Sequence, residues 1–330
     1  MRYTTIGSDS LTARKVSVLS LGGMRFGTWT DEATSFAILD RYVAAGGNFI
    51  DTSDSYLFFV NGTQGGESEA LLGRWSASRG IGDEVVIATK VGARPVVPSR
   101  GFDTPREGLS RAVIREASER SRERLGVERI DLYYAHVPDL SGVLLDEQVA
   151  AFGELVTDGT VGLLGLSNHW AWQVERARGI ALAARSARAD VLQYHHTYLR
   201  MRTDIPDRRF SPDGEIGAAD GSILSYLRAE PGMALVAYSP LLGGAYTRPD
   251  KDLDRGYDHP GTRTRLQALD QVVKETGATA NQVVLAWLIG GDLPVVPLIG
   301  ASTVAQLDES LAAVDLQLSE EHRQLLDAAN

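Results

Sequence analysis

The chain has 330 residues, 43% hydrophobic and 23% charged, with a formal net charge of −10 and no cysteine. This globular composition suits two ordinary domains or one large α/β barrel. It excludes disulfides, thiolate nucleophiles and Cys-based metal sites. It also argues against nucleic-acid binding through a basic surface, and no apolar run approaches the roughly 20 residues of a membrane span.

In chain order, residues 2–6 and 14–19 are short β-prone runs separated by Gly7-Ser-Asp-Ser10, which predicts a hairpin ahead of the main fold. Residues 19–23 form a candidate first barrel strand, followed by the glycine-containing loop 24–29. Residues 31–45 are helical in pattern, with Thr30 or Asp31 as N-cap and Gly46 as the stop. Strands are then predicted at 48–51, 84–89, 130–135, 161–166, 191–194, 234–237 and 295–298. Helices are predicted at 68–75, 105–125, 145–158, 171–187, 222–230, 263–276, 281–289, 304–312 and 319–329. The strand runs are continuously apolar, as strands buried on both faces should be. Eight strands alternating with helices predict a parallel sheet closed into a (β/α)8 TIM barrel. No linker or composition break divides the chain, so one domain over 1–330 is expected.

In such a barrel the carboxyl ends of the strands face the reaction site. The predicted strand ends carry Asp51 with Tyr56 five residues on, Lys90, His136, Ser167-Asn168, Gln193 and Tyr238-Ser239. Taken singly each has a mundane reading: a helix cap, a loop aromatic, a solvated terminus, a surface histidine. Together they place a polar or titratable group at the same position on successive strands. Their chemistry is coherent. A tyrosine phenol titrates near pH 10, and an ammonium from Lys90 would lower that value. Asp51 would keep the lysine charged and aimed, and His136 would donate a hydrogen bond to a substrate oxygen. Such a set suits protonating an oxyanion forming at a carbonyl carbon, but it supplies no hydride, so a hydride source is required, for which a nicotinamide cofactor is the natural candidate.

The segments Gly27-Thr28-Trp29, Asn48-Phe-Ile-Asp-Thr52 with Tyr56, 66–73 (GESEALLG), Ala88-Thr-Lys90, 129–136 (RIDLYYAH), Gly165-Leu-Ser-Asn168, 236–241 (VAYSPL) and 298–310 occur in this order. With them the chain resembles the aldo-keto reductase superfamily over nearly its whole length. The resemblance implies an N-terminal β-hairpin capping the barrel base, C-terminal extra helices, and Asp51, Tyr56, Lys90 and His136 as a catalytic tetrad. Tyr56 would be the acid in reduction and the base in oxidation. Ser167, Asn168 and Gln193 would hold the nicotinamide carboxamide, and Tyr238 would stack on its ring. Ser239, Leu241 and Gly243 would bind the pyrophosphate. Gly27, Thr28 and Trp29 would lie by the nicotinamide, with Trp29 lining the pocket. Gly300, Ser302, Thr303, Gln306, Glu309 and Ser310 would contact the adenosine end.

One departure bears on the cofactor. Where the family often carries a Lys or Arg for the adenosine 2′-phosphate, residues 298–306 (LIGASTVAQ) hold neither. The Ser302 and Thr303 hydroxyls and N–H groups opening the next helix could take its place, or Arg248 or Lys251 could reach in from another loop. NADPH is the expected cofactor, with NADH open. Ser310 also stands where an asparagine is common.

Other features have plainer readings. His195-His196 are adjacent on a strand and point to opposite faces, which predicts no metal site. Gly22-Gly23 and Gly243-Gly244 form no G-x-G-x-x-G. The charged run 111–129 reads as a solvated helix face with i, i+4 pairing. Long loops at 57–66, 91–104, 200–221 and 242–260 follow strands and would shape a pocket for a small-molecule carbonyl substrate. The N-terminus lacks the apolar core of a secretory signal, which predicts a cytoplasmic protein that needs no nucleic acid or membrane, with homo-oligomerisation left open. Two other readings stand beside a reductase: a cofactor-binding regulatory subunit with little turnover, and a lyase or isomerase forming a Schiff base on Lys90.

Overall fold

The computed structural model describes residues 1–330 apart from Asn61, Phe102, Thr203 and 205–216. Most of the predicted loop 200–221 therefore lies outside the described residues. The chain opens with an antiparallel hairpin of β1 (Tyr3–Ile6) and β2 (Arg14–Ser17). Eight parallel strands then close a barrel: β3 (Ser20–Gly22), β4 (Phe49–Asp51), β5 (Val86–Val91), β6 (Ile130–Ala135), β7 (Val161–Ser167), β8 (Ala189–His195), β9 (Ala234–Tyr238) and β10 (Val295–Ile299). Closure comes from β10 against β3, with Leu298 opposite Ser20 and Ile299 opposite Leu21.

Helices alternate with these strands. They are α1 (Glu32–Ala44), α2 (Glu67–Arg79), α3 (Arg111–Leu125), α4 (Leu145–Thr157), α5 (Ala171–Ala183), α6 (Gly221–Ala229), α7 (Pro260–Thr276), α8 (Ala280–Ile289), α9 (Val304–Ala312) and α10 (Glu320–Ala328). Local chemistry sets several boundaries. The Asp31 side chain accepts from Thr34 N to start α1, and the Thr279 hydroxyl and Gln282 amide form a reciprocal capping box for α8. Among the described residues no helix is long and apolar enough to cross a membrane.

One predicted boundary is corrected. Residues 105–110 were expected to begin the helix ending at Leu125, but α3 starts only at Arg111, with Ser110 as its cap. Arg106 instead makes a β-bridge to Pro95, and Gly108 lies at φ +74°. The charged run 111–129 thus begins with α3 itself, and the six residues before it are a packed loop.

Strand side chains alternate between two cores. One face of each strand meets the helices: Ile50 and Ile87 pack with Leu39 and Leu72, and Tyr133 and Leu164 pack with Ile114 and Val174. The other face fills the barrel with Phe49, Val86, Ala88, Leu132, Tyr134, Leu163, Val191, Ala234, Val236 and Val296. Ile6 and Val16 of the hairpin belong to this interior cluster and are fully buried, so the hairpin plugs the amino-terminal end of the barrel. Its tip is anchored by Asp190, which accepts from Ser8 N at 2.9 Å and pairs with the buried Arg178 at 2.7 Å.

Candidate active site

The period-two rule that fills the barrel also builds its open end. Counting inward residues up each strand gives Phe49 then Asp51, and Val86, Ala88 then Lys90. It continues with Leu132, Tyr134 then His136; Leu163, Gly165 then Ser167; Val191 then Gln193; and Ala234, Val236 then Tyr238. The apolar plug ends where the polar residues start, and six polar side chains converge because six strands end together.

Asp51 and Lys90 are fully buried and form an ion pair. The ammonium has three N–H bonds and three acceptors: Asp51 Oδ1, the Thr52 carbonyl at 2.7 Å and the Tyr56 phenol oxygen at 2.7 Å. Tyr56 in turn donates to Asp51 Oδ1 at 3.1 Å. The other carboxylate oxygen of Asp51 accepts from Gln193 Nε2 at 2.8 Å. Tyr56 and His136 are half-buried and meet edge to face, with ring centroids 5.9 Å apart. Two residues at the floor are thus sealed, and the two above them remain accessible.

The electrostatics differ from expectation at Tyr56. An ammonium beside a phenol is expected to lower its pKa, whereas the site raises that of Tyr56 well above 10.0. Burial is the largest cause, and the Asp51 charge and its hydrogen bond add to it. The phenol therefore holds its proton at neutral pH. Burial also lowers the Lys90 pKa, with Asp51 opposing it. His136 is pushed well below 6.5 by burial, then by Lys90 and Arg106. It is a neutral imidazole whose Nδ1 lies 3.2 Å from Ser53 Oγ. Its two ring nitrogens share one N–H, and Ser53 Oγ can partner Nδ1 in either tautomer.

Around this group the amide residues are fixed by one another. Ser167 Oγ donates to the Gln193 carbonyl at 2.9 Å. Asn168 Nδ2 donates to the His136 carbonyl at 2.9 Å and to Ser167 Oγ at 3.0 Å. Asn168 Oδ1 accepts from the Tyr238 hydroxyl at 2.9 Å. Asn168 and Ser239, the residues just past β7 and β9, both adopt positive φ (+61° and +53°). A non-glycine residue there marks a backbone held by its surroundings, as at many functional sites. After Leu241 at φ −106°, Leu242, Gly243 and Gly244 return to positive φ at +52°, +65° and +99°. Ser239 and Gly243 are exposed, and space beside the Gly243 and Gly300 α-carbons is open. Leu241 is half-buried and packs against the apolar core.

The last loop faces this turn's side of the barrel. Ser302 N donates to Gln306 Oε1 at 2.8 Å, and Thr303 caps α9 by accepting from Gln306 N at 3.2 Å. Glu309 accepts from Thr279 Oγ1 and Asn281 Nδ2, and Ser310 is buried. Gly27 and Thr28 make a tight turn whose α-carbon at Gly27 approaches the Glu67 carbonyl at the start of α2. Trp29 is 54% exposed, lies edge-on to Phe59 and sits under the Arg25 guanidinium.

Several contributors carry no signal in the sequence. The Thr52 carbonyl and Ser53 hydroxyl position Lys90 and His136 from the segment that also holds Asp51 and Tyr56. Ser68, buried at the start of α2, donates to the Gly23 carbonyl and bonds Thr52 Oγ1, while Gly23 N donates to the Asp51 carbonyl. Glu69 accepts from Thr89 Oγ1 and from Arg124. The segment 66–73 thus supports the strand ends from behind. His195 and His196 take different neighbours, Tyr238 with Tyr257 for the first and Trp287 for the second. Among the described residues no group of three His, Asp or Glu could hold a metal ion.

The sequence model of the Aldo/keto reductase family matches residues 18–330. The chain is 33% identical to the uncharacterized oxidoreductase YrpG of Bacillus subtilis, over 99% of this chain and 95% of that one. It is 32% identical to the norsolorinic acid reductase stcV of Emericella nidulans, over 94% and 77%. It is 29% identical to the protein tas of Escherichia coli, over 97% and 95%.

Proposed function

The chain belongs to the aldo/keto reductase family, and on that premise we propose that it reduces an aldehyde or ketone carbonyl with NAD(P)H, using Tyr56 as the proton donor. The observation that carries this reading is the Lys90 ammonium held between Asp51, Thr52 and the Tyr56 phenol oxygen, with the phenol half-exposed above it. A reduced nicotinamide supplies the hydride when bound. Tyr56 keeps its proton until negative charge develops on the carbonyl oxygen, because burial and Asp51 disfavour a free phenolate. As the proton leaves, Lys90 stabilises the phenolate through the hydrogen bond it already makes. His136, neutral, would orient the same oxygen by donating from Nε2 in the tautomer whose Nδ1 accepts from Ser53.

Residues that would hold the cofactor fit it in kind. The turn 239–244 presents exposed backbone without side-chain obstruction at Gly243, as a pyrophosphate requires. Tyr238 is half-buried at the same end of the barrel and would stack on the nicotinamide, and Ser167, Asn168 and Gln193 would hold its carboxamide. Gln193 donates one Nε2–H to Asp51, which leaves its second N–H and its side-chain Oε1 for an amide ligand. Lys90 spends its three N–H bonds within the site, which disfavours it as a Schiff-base nucleophile.

The test is oxidation of NADPH and NADH with para-nitrobenzaldehyde by wild type and Tyr56→Phe. Turnover that collapses in the variant while cofactor binding persists supports the proposal. Equal turnover in both removes Tyr56 as donor. Cofactor binding without turnover on a broad carbonyl panel favours a binding role.

A further inference from the structure

A second buried charge cluster lies behind Lys90, on the helix side of β5, and no step of the proposed reduction involves it. Glu69 of α2 is fully buried and accepts from Thr89 Oγ1 and from Arg124 Nε at 2.6 Å. Glu107, on the loop after β5, accepts from Gly92 N at 3.0 Å and lies 4.0 Å from Arg120. That loop folds back on itself, with Glu107 N donating to the Arg94 carbonyl at 2.8 Å and Val96 N to the Pro105 carbonyl at 2.9 Å. Both carboxylates thus have an arginine and a neutral donor beside them.

Asp54 differs. It is 2% exposed, and among the described residues its Oδ2 is closed to solvent and receives no N–H or O–H donor. The side chain it meets is that of Glu107, to which it is hydrogen-bonded. Two carboxyl groups share a hydrogen bond only when one carries a proton. Glu107 has the Gly92 N–H and Arg120 to stabilise its charge, whereas Asp54 Oδ2 has neither, and the buried Tyr133 hydroxyl donates to neither group. Burial, then the Glu107 and Glu69 charges, hold the Asp54 carboxyl well above its ordinary 3.8, against the opposing pull of Arg124 and Arg94.

We infer that Asp54 is a positioning residue whose carboxylic acid donates to the Glu107 carboxylate and clips the loop after β5 onto the segment carrying Ser53 and Tyr56. The inference rests on the reductase reading above. Ser53, next in the chain, lies 3.2 Å from His136 Nδ1, and Tyr56 follows two residues after Asp54, so displacing Asp54 displaces both groups that would meet the carbonyl oxygen. A neutral Asp54 also serves Lys90, which is sealed and already paired with Asp51. A second carboxylate there would offset the charge that a developing phenolate needs.

The experiment combines infrared spectra in heavy water at neutral pH with aldehyde reduction, for wild type, Asp54→Asn, Asp54→Leu and Glu107→Gln. A carboxylic-acid C=O band is expected in wild type, absent from Asp54→Asn and retained in Glu107→Gln. Asp54→Leu should lower kcat by about tenfold to a hundredfold, as small misplacements of reacting groups do, with cofactor binding unchanged. Asp54→Asn, donating to Glu107 from its amide, should restore most of that loss. No band lost in Asp54→Asn, or a band lost in Glu107→Gln, overturns the inference without reference to activity. Asp54→Asn as slow as Asp54→Leu overturns it too, by showing that an ionised carboxylate was needed, and so does an Asp54→Leu as fast as wild type. Failure of the reductase reading shows separately, as wild type that turns over no carbonyl, and the positioning role falls with it.

Discussion

Gly165 and Tyr134 share one space inside the barrel: a Cβ built on Gly165 of β7 would lie 2.3 Å from two ring carbons of Tyr134 on β6. The ring fills the interior directly beneath the ion pair, with the Lys90 ammonium 5.8 Å from its centroid. The glycine is therefore required by an aromatic neighbour and by the Val191 carbonyl of β8, 2.9 Å from the same point, and the aromatic forms the floor on which Lys90 rests. Gly165→Ala is expected to destabilise by roughly 1–3 kcal/mol, the usual cost of overpacking. It should also lower kcat by moving the floor under Lys90. Gly165→Ala combined with Tyr134→Leu should recover part of the stability in urea melts, the contact with the Val191 carbonyl remaining, while activity stays low. Wild-type stability in the single variant would show that the ring has room to move.

Lys90 and Asp51 make a sharper pair of variants. Removing one charge from a sealed pair leaves the other buried without compensation, a loss of about 3–5 kcal/mol. Lys90→Met should fall in that range, and so should Asp51→Leu. The double variant, with neither charge, should regain most of the stability and none of the reductase activity. Urea denaturation and turnover of the same preparations check both halves. A double variant as unstable as the singles would mean that the pair stabilises the fold on balance.

Much of this architecture was legible because barrel strands are buried on both faces and so appear as apolar runs, with caps and stops between them. Strand ends follow, and so do Asp51, Lys90, His136, Ser167, Gln193 and Tyr238, since position along a strand is a local property. Less legible was anything set by neighbours distant in sequence. The pairing of Arg106 with Pro95 removes the first residues expected in α3. The direction of the Tyr56 shift depends on burial outweighing a cation, which a list of residue types cannot weigh. Arg25 and Ser302 are 277 positions apart and meet only because the barrel closes β10 onto β3. No spacing rule reaches that far.

The pH profile of reduction tests the Tyr56 assignment. Reduction needs the protonated phenol, and its pKa is raised above 10.0. The rate should therefore hold steady through neutral pH and fall only on the alkaline side of that value. Asp51 is the largest cause after burial, so removing its charge works in the opposite sense. In Asp51→Asn the alkaline limb of kcat/KM should move to lower pH, alongside any loss in magnitude. Profiles of the two proteins with one aldehyde and saturating cofactor decide it. An unmoved limb would detach Asp51 from the phenol's titration.

Stability should weaken as pH falls below neutrality, and the sign follows from the histidines. His136, His169 and His196 all titrate below the ordinary 6.5 in the folded protein, the last two at about 4, each chiefly through burial. A base with a depressed folded pKa binds its proton more readily when unfolded. The stability it contributes is present above 6.5 and is lost as pH falls toward the folded value. Asp54, Glu107 and Asp131 oppose this, since burial raises their pKa values and protonation relieves them. His169 isolates the first effect: it is buried, its Nδ1–H faces the Ser167 carbonyl at 2.8 Å, and its shift alone is worth on the order of 3 kcal/mol when fully expressed. His169→Gln keeps an N–H donor and removes the titration. Urea melts from neutral pH down to about 4 should therefore show a shallower decline in the variant than in wild type. Parallel declines would assign the acid sensitivity to the other buried groups.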